Sequence, residues 1–218
     1  MIYYIFWWVC IITGYLCQRI LFKRKTYYED RRATRLYSGG RLIISNHYNI
    51  LDYVMTHFIV FPRKLNVVAS EMPFRSPIVR FGMKFFGAIQ ANRETKNMKF
   101  MDECAAVIKK GQLAMIFPEG RNTPDGEMHE FKKSYLVIAH RAGVPIVPII
   151  TDGRYGLFKR THVIVGKEID VSGFFSSDRP IPKREELERA NEYVYARMCE
   201  LRRELQRRTA KKKREKKQ

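Results

Sequence analysis

The stretch Leu42-Ile43-Ile44-Ser45-Asn46-His47-Tyr48-Asn49-Ile50-Leu51-Asp52 changes character twice. An apolar run stops at Ser-Asn-His, and an apolar-periodic segment starts directly after it. That pattern predicts a buried strand handing over to a helix through a polar loop at the strand's carboxyl end. Loops in that position are where ligands sit in open α/β sheets. If Asn49 caps the helix, Asp52 falls in its first turn, where its carboxylate reaches back towards the loop carrying His47. A histidine so placed is a candidate general base, with Asp52 to orient it. The plainer alternative is that Asp52 only completes a cap and favours the helix dipole, while His47 bonds locally.

Downstream, strand and helix patterns alternate. Arg41–Ser45 reads as a strand and 50–61 as a helix stopped by Pro62. Asn66–Ser70 is a β-branched strand, Pro77–Phe86 a helix begun by proline, and Ala88–Ala91 a short extended run. Lys96–Lys110 is an amphipathic helix that stops at Gly111. Leu113–Phe117 is an apolar strand and Phe131–Ala142 a helix closed by Gly143. Val147–Thr151 and His162–Gly166 are strands, and Arg184–Gln206 is a long helix with acids at its start and arginines at its end. This alternation predicts an α/β fold: a mixed, largely parallel sheet flanked by helices.

Three segments lie outside that alternation. Residues 2–22 are almost wholly apolar and are followed by Lys23-Arg24-Lys25. At about 1.5 Å per residue a helix there approaches the ~30 Å hydrocarbon thickness, so 1–25 is expected to be a membrane-anchoring helix that spans or dips into a bilayer. The basic cluster behind it favours a catalytic domain, 26–209, on the cytoplasmic side. Thr26 to Gly40 is charged and aromatic and ends in Ser38-Gly39-Gly40, which reads as a linker or turn. Residues 210–218 form a polybasic tail expected to be disordered. The net charge of +19 points to an anionic partner. Cys10, Cys17, Cys104 and Cys199 show no CxxC spacing and are expected as reduced thiols.

Three further strand-end loops carry candidate chemistry. Phe117-Pro118-Glu119-Gly120-Arg121-Asn122 follows a buried strand. Its glycine permits close backbone approach, its arginine suits a phosphate, and its glutamate can order either the arginine or a hydroxyl. Gly87 to Arg93 delivers Arg93 to a strand end. Gly143-Val144-Pro145-Ile146-Val147-Pro148-Ile149 is a helix stop entering a strand, and its two prolines suggest a sheet edge or a substrate wall. Each segment alone is also compatible with an ordinary turn or a surface arginine.

In order and spacing these segments resemble the four blocks of the glycerolipid acyltransferase family, the PlsC-type 1-acylglycerol-3-phosphate acyltransferases. The likeness runs from about Ile43 to Ile150. Asn46-His47-x4-Asp52 is similar to the family's histidine–aspartate motif, Arg93 to the second block's arginine, Phe117-Pro118-Glu119-Gly120 to the third block and Val144-Pro145-Ile146-Val147-Pro148 to the fourth. The family usually reads Glu-Gly-Thr-Arg in the third block, whereas here Arg121 and Asn122 follow the glycine.

The resemblance implies the glycerolipid acyltransferase fold and transfer of a fatty acyl chain from acyl-CoA or acyl carrier protein to the free hydroxyl of lysophosphatidic acid. It implies His47 and Asp52 as the catalytic pair. Asn46, Arg93, Glu119, Gly120 and Arg121 would bind substrate, and the anionic membrane surface would be a partner. No metal or redox cofactor is expected. The five histidines show no ligand spacing, and neither GxGxxG nor a GKS/GKT loop is present. Phe81, Met83, Phe85 and Phe86 are candidates for an acyl path. A nucleic-acid-binding protein would account for the charge but leave the apolar N-terminus and the four loops unexplained, so no nucleic acid is expected. A catalytically silent adaptor would not need both His47 and Asp52.

Overall fold

The computed structural model describes residues 8–9, 12–14, 23–30, 38–49, 51–91, 98–123, 126–156, 159–176 and 179–215. Among the described residues from 23 onward, seven strands and five α-helices follow in order: β1 Lys25–Tyr28, β2 Arg41–Ser45, α1 Leu51–Ile59, β3 Leu65–Ser70, α2 Pro77–Phe85, β4 Ile89–Ala91, α3 Lys99–Lys109, β5 Leu113–Ile116, α4 Ser134–Ala142, β6 Ile146–Thr151, β7 His162–Val165 and α5 Arg184–Glu215. They form one sheet in the order β1-β7-β6-β2-β5-β3-β4. The pairs β2–β5, β2–β6, β5–β3, β3–β4 and β1–β7 are parallel. Only β6–β7 is antiparallel. The parallel run places the carboxyl ends of β2, β3, β4, β5 and β6 on one side, which is where the loops singled out above emerge.

The alternation within β2 explains its central place. Leu42 and Ile44 enter one apolar layer, covered by α3, α4 and α5, while Ile43 enters the other, beside Tyr53 and Ile59 of α1. A strand buried on both faces must be apolar at every position, as a near-continuous run requires. On α5, Val194, Met198, Leu201 and Leu205 repeat at three to four residues and are all buried. Each such side chain contributes about 1.5–3 kcal/mol when taken from water.

Three expectations are corrected. The stretch 26–40, read without a strand, contains most of strand β1, which lies parallel to β7 at the sheet edge. At its end Gly40 packs closely, because a Cβ there would lie 1.9 Å from the Ile108 carbonyl oxygen. The fourth block lies at neither an edge nor the cavity wall described below, since β6 sits between β2 and β7. Its Pro148 is tolerated because the carbonyl on that side of the strand faces Gly166, just past the end of β7, where it accepts a bond at 2.9 Å and no ladder donor is needed. Finally, the last helix does not stop near Gln206 but continues to Glu215, through six residues expected as disordered tail. Lysine, arginine and alanine are strong helix formers, elongation of an existing helix is easy, and cations suit a helix's carboxyl end.

Among the described residues no helix is long and apolar enough to cross a membrane. The anchoring segment expected over 1–25 falls mostly outside them. Residues 8–9 and 12–14 are helical, and Trp8, Val9 and Ile12 are exposed.

Candidate active site

The loop after β2 is built around one carboxylate. Asp52 is wholly buried and its Oδ2 accepts three bonds: from His47 Nδ1 at 3.1 Å, and from the backbone N–H of Tyr48 at 2.6 Å and of Asn49 at 2.8 Å. Asn49 Oδ1 in turn accepts the N–H of Leu51 at 2.8 Å. Asp52 thus satisfies the N–H of the cap residue while Asn49 satisfies that of Leu51, and the Asp52 N–H goes to the Asn49 carbonyl at 3.0 Å, a capping arrangement of the kind the spacing predicts. The Tyr155 hydroxyl donates to the other oxygen, Oδ1. Burial foremost, and then the charge of Asp52, raise the Tyr155 pKa far above its ordinary value, so the phenol keeps its proton and remains a donor. One carboxylate therefore starts α1 and holds His47 at the same time.

His47 is fixed on three sides. Its Nδ1 faces Asp52. Its ring stacks on Phe117 with centroids 3.8 Å apart and planes at 14°. Its carbonyl accepts both the N–H and the hydroxyl of Thr123, at 2.8 and 2.9 Å. An ionised carboxylate only accepts, so the neutral imidazole carries its proton on Nδ1 and leaves Nε2 with a free lone pair. The side chain is 18% exposed, enough for a substrate to reach it. It lines a cavity of about 510 Å³, within the range of small-ligand sites.

One wall of the cavity is the loop after β5. Phe117, Gly120, Arg121 and Asn122 line it, with Lys132 and Ser134 from the start of α4. Gly120 adopts φ +66°, and the space where a Cβ would stand is occupied by the Lys132 chain, with Cδ and Cε 3.0 Å away. The glycine thus draws an ammonium across the turn. Arg121 reaches His129 Nδ1 at 3.1 Å. Glu119 is buried behind the turn and accepts the His129 N–H at 3.0 Å. Burial raises its pKa, while the backbone N–H groups of His129 and His47 oppose the shift. The rest of the lining includes apolar Val67, Met72, Met83, Met98 and Phe100. The site thus joins a held imidazole, a cationic corner and an apolar surface.

Asn46 does not face this cavity. Both ends of its buried amide bond the backbone of Thr151, donating at 3.0 Å and accepting at 2.9 Å. It ties the carboxyl end of β6 to the histidine loop. Arg93 lies outside the described residues. Met83 lines the cavity, whereas Phe81 points away and is exposed. Sequence reasoning missed Tyr155, Thr123 and Lys132. Only the last had a visible signal, because Lys132-Lys133 directly before a helix start opposes the helix dipole. Among the described residues no group of three or more His, Cys, Asp or Glu side chains is close enough to hold a metal ion. A second cavity of about 360 Å³ lies on the β6–β7 side of the loop, beside Tyr48, Arg154, Arg160 and Arg202, and does not include His47.

Comparison with known proteins bears on this geometry. A family model described as Acyltransferase matches residues 23–152, which is more than half of the chain and contains every residue of the site except Tyr155. This chain belongs to the acyltransferase family. Its similarity to 1-acyl-sn-glycerol-3-phosphate acyltransferase beta of Homo sapiens is 30% identity over 167 residues, 70% of this chain and 59% of that protein. A 1-acyl-sn-glycerol-3-phosphate acyltransferase of Haemophilus influenzae is 30% identical over 145 residues, 61% of this chain and 59% of the relative. A chloroplastic relative from Brassica napus, BAT2, is 29% identical over 112 residues, 50% of this chain but 32% of its own length. The chain thus spans between about a third and three-fifths of the length of these curated relatives. The crystal structure of PlsC from Thermotoga maritima superposes with a TM-score of 0.59, covering 86% of this chain and 73% of that one. At 21% identity that likeness establishes the fold: a parallel-dominated sheet flanked by helices.

Proposed function

We propose that this acyltransferase moves a fatty acyl chain from a thioester, acyl-CoA or acyl carrier protein, to the free hydroxyl of 1-acylglycerol 3-phosphate, giving phosphatidic acid. The observation that carries the reading is the His47–Asp52 pair opening onto a cavity lined by both cationic and apolar side chains. A lysophospholipid has the same two-part character.

In this reading His47 Nε2 removes the hydroxyl proton as the hydroxyl oxygen attacks the thioester carbonyl carbon. Asp52 stabilises the imidazolium that forms. A carbon–oxygen bond forms and the carbon–sulfur bond breaks. The sulfur leaves with the electron pair and takes the proton back from His47, so the thiol departs neutral and the base is restored. No covalent acyl-enzyme is required. Arg121 and Lys132 hold the acceptor's phosphate, with Arg93 as a further candidate, and Glu119 and Gly120 shape the turn that presents them. Membrane association on the cytoplasmic side, through the apolar segment before residue 25 and the basic surface, belongs to the same reading.

The test is a matrix of turnover assays on the full chain in lipid vesicles. It pairs acyl-CoA and acyl carrier protein donors with 1-acylglycerol 3-phosphate, glycerol 3-phosphate and other lysophospholipids. Transfer to 1-acylglycerol 3-phosphate above the others supports the reading. A preference for another acceptor would reassign the substrate, which the departure at Arg121–Asn122 from the family's Glu-Gly-Thr-Arg makes a specific alternative. No turnover with any pair would overturn the enzymatic assignment.

A further inference from the structure

The segment between β3 and β4 leaves its apolar side uncovered. Not one residue of helix α2 is buried. Ile78 is 84% exposed, Phe81 74% and Met72, in the short turn before α2, 58%, with Val79 and Met98 also open to solvent. Among the described residues ten large apolar side chains are exposed; four of them lie in this segment, and a fifth, Met98, lines the same cavity as Met72. Such a concentration marks an interaction surface rather than ordinary surface composition.

The helical repeat sorts the residues of α2 by direction. At 100° per residue, Ile78, Phe81 and Phe85 fall on one stripe, Lys84 and Arg80 run along one edge of it, with Arg80 Nε donating to the Phe74 carbonyl at 2.7 Å, and Met83 lies on another side, where it lines the cavity of His47. No acidic residue occurs between Met72 and Ala91, while Arg75, Arg80 and Lys84 do. An apolar stripe edged by long cationic side chains is the pattern of a helix lying in a membrane interface, its cations reaching the headgroups. Met72 and Met98 belong both to the exposed patch and to the cavity lining, so the patch is the rim of the site.

We infer that the Met72–Phe86 segment docks in the interface of an anionic lipid bilayer and opens the cavity directly onto it, so that the lipid acceptor enters sideways from the membrane without crossing water. This deepens the proposed function and rests on it for the identity of the lipid. The docking itself can be read without turnover. A protein partner or a second copy is less well matched, since the patch has no acid–base complementarity and merges with a lipid-sized cavity.

The test uses the full chain with Cys10, Cys17 and Cys199 replaced by serine and a polarity-sensitive fluorophore on Phe81→Cys. A matching probe on Lys110→Cys reports from the opposite end of the sheet. Vesicles of phosphatidylcholine and phosphatidylglycerol, neither of them a substrate, carry a quencher on their acyl chains. The probe at 81 is expected to shift to the blue and lose most of its emission, while the probe at 110 does neither. Arg80→Gln with Lys84→Gln is expected to reduce the loss in anionic vesicles and not in neutral ones. In the unmodified chain, deuterium uptake over 72–86 is expected to fall on adding the vesicles. A probe at 81 that stays in water while the chain sediments with vesicles, or unchanged deuterium uptake, would overturn the inference. So would a blue shift that depends on protein concentration without lipid, which would indicate self-association. Failure of the acyl-transfer assays with these results intact would overturn the proposed substrate and leave the docking surface standing.

Discussion

At the scale of single residues, Asp52 carries two tasks that the chain alone leaves as alternatives. Its carboxylate caps α1 through Tyr48 and Asn49 and orients His47 with the same oxygen. The histidine–aspartate spacing, and the loop it sits in, were legible from residues 42–52. What was not legible is the fourth donor, Tyr155, which arrives from 103 positions away in a loop with no periodic pattern or motif. Tyr155→Phe leaves Asp52 three donors but removes a charge-assisted bond, worth about 1.5–3 kcal/mol. The expected result in steady-state kinetics is a fall in kcat of roughly tenfold or more with KM nearly unchanged, because the phenol positions Asp52 and does not touch substrate. A kcat equal to that of the native enzyme would remove Tyr155 from the account.

At the scale of elements, most strands and helices follow from the residue pattern, and the failures have physical causes. Strand β1, Lys25-Thr26-Tyr27-Tyr28, is half-buried along its length and lacks an alternation to recognise. It is ordered by pairing with β7, a partner that lies far along the chain. The end of α5 was missed because a run of lysines reads as a solvated tail until an upstream helix is present to extend. Helix α1 also carries a titratable group that local pattern does not disclose. His57 is buried among the rings of Tyr53, Phe58 and Phe86. Burial, and secondarily the charge of Lys64, lowers its pKa to about 4. An unfolded histidine titrates near 6.5, so between these values the unfolded chain binds a proton that the native one refuses, and stability falls as pH falls. From pH 6.5 to 5 this term costs about 2 kcal/mol. Urea unfolding of His57→Phe is expected to show a loss over that interval smaller by about this amount than the native chain. Equal slopes for the two proteins would contradict the assignment.

Across the molecule, the parallel run of strands brings the carboxyl ends of β2, β3, β4 and β5 together, and the cavity that His47 lines lies among them. The charge of +19 was visible at once but ambiguous by itself. Its distribution narrows the reading: basic residues stand at Arg121 and Lys132 on the cavity lining, on α2, and at the end of α5. Truncation after Arg208 keeps the buried Leu205 and removes Lys211, Lys212, Lys213, Arg214, Lys216 and Lys217. At ~1 kcal/mol for each basic residue that reaches an anionic surface, binding to phosphatidylglycerol vesicles at low salt is expected to weaken by at least tenfold. Ions screen such contacts, so the two proteins should converge at high salt. Vesicle binding with unchanged affinity and salt dependence would exclude the tail from membrane contact.

In the proposed mechanism His47, held by Asp52, is the base that activates the acceptor hydroxyl. The decisive comparison sets the native chain against His47→Ala in one vesicle assay, with saturating acyl donor and 1-acylglycerol 3-phosphate. Vesicle sedimentation confirms that both proteins remain bound. Loss of general-base catalysis is worth about 10²- to 10⁴-fold, so the variant should retain at most about one hundredth of native turnover while sedimenting normally. Turnover within a few-fold of native in the alanine variant would contradict the mechanism.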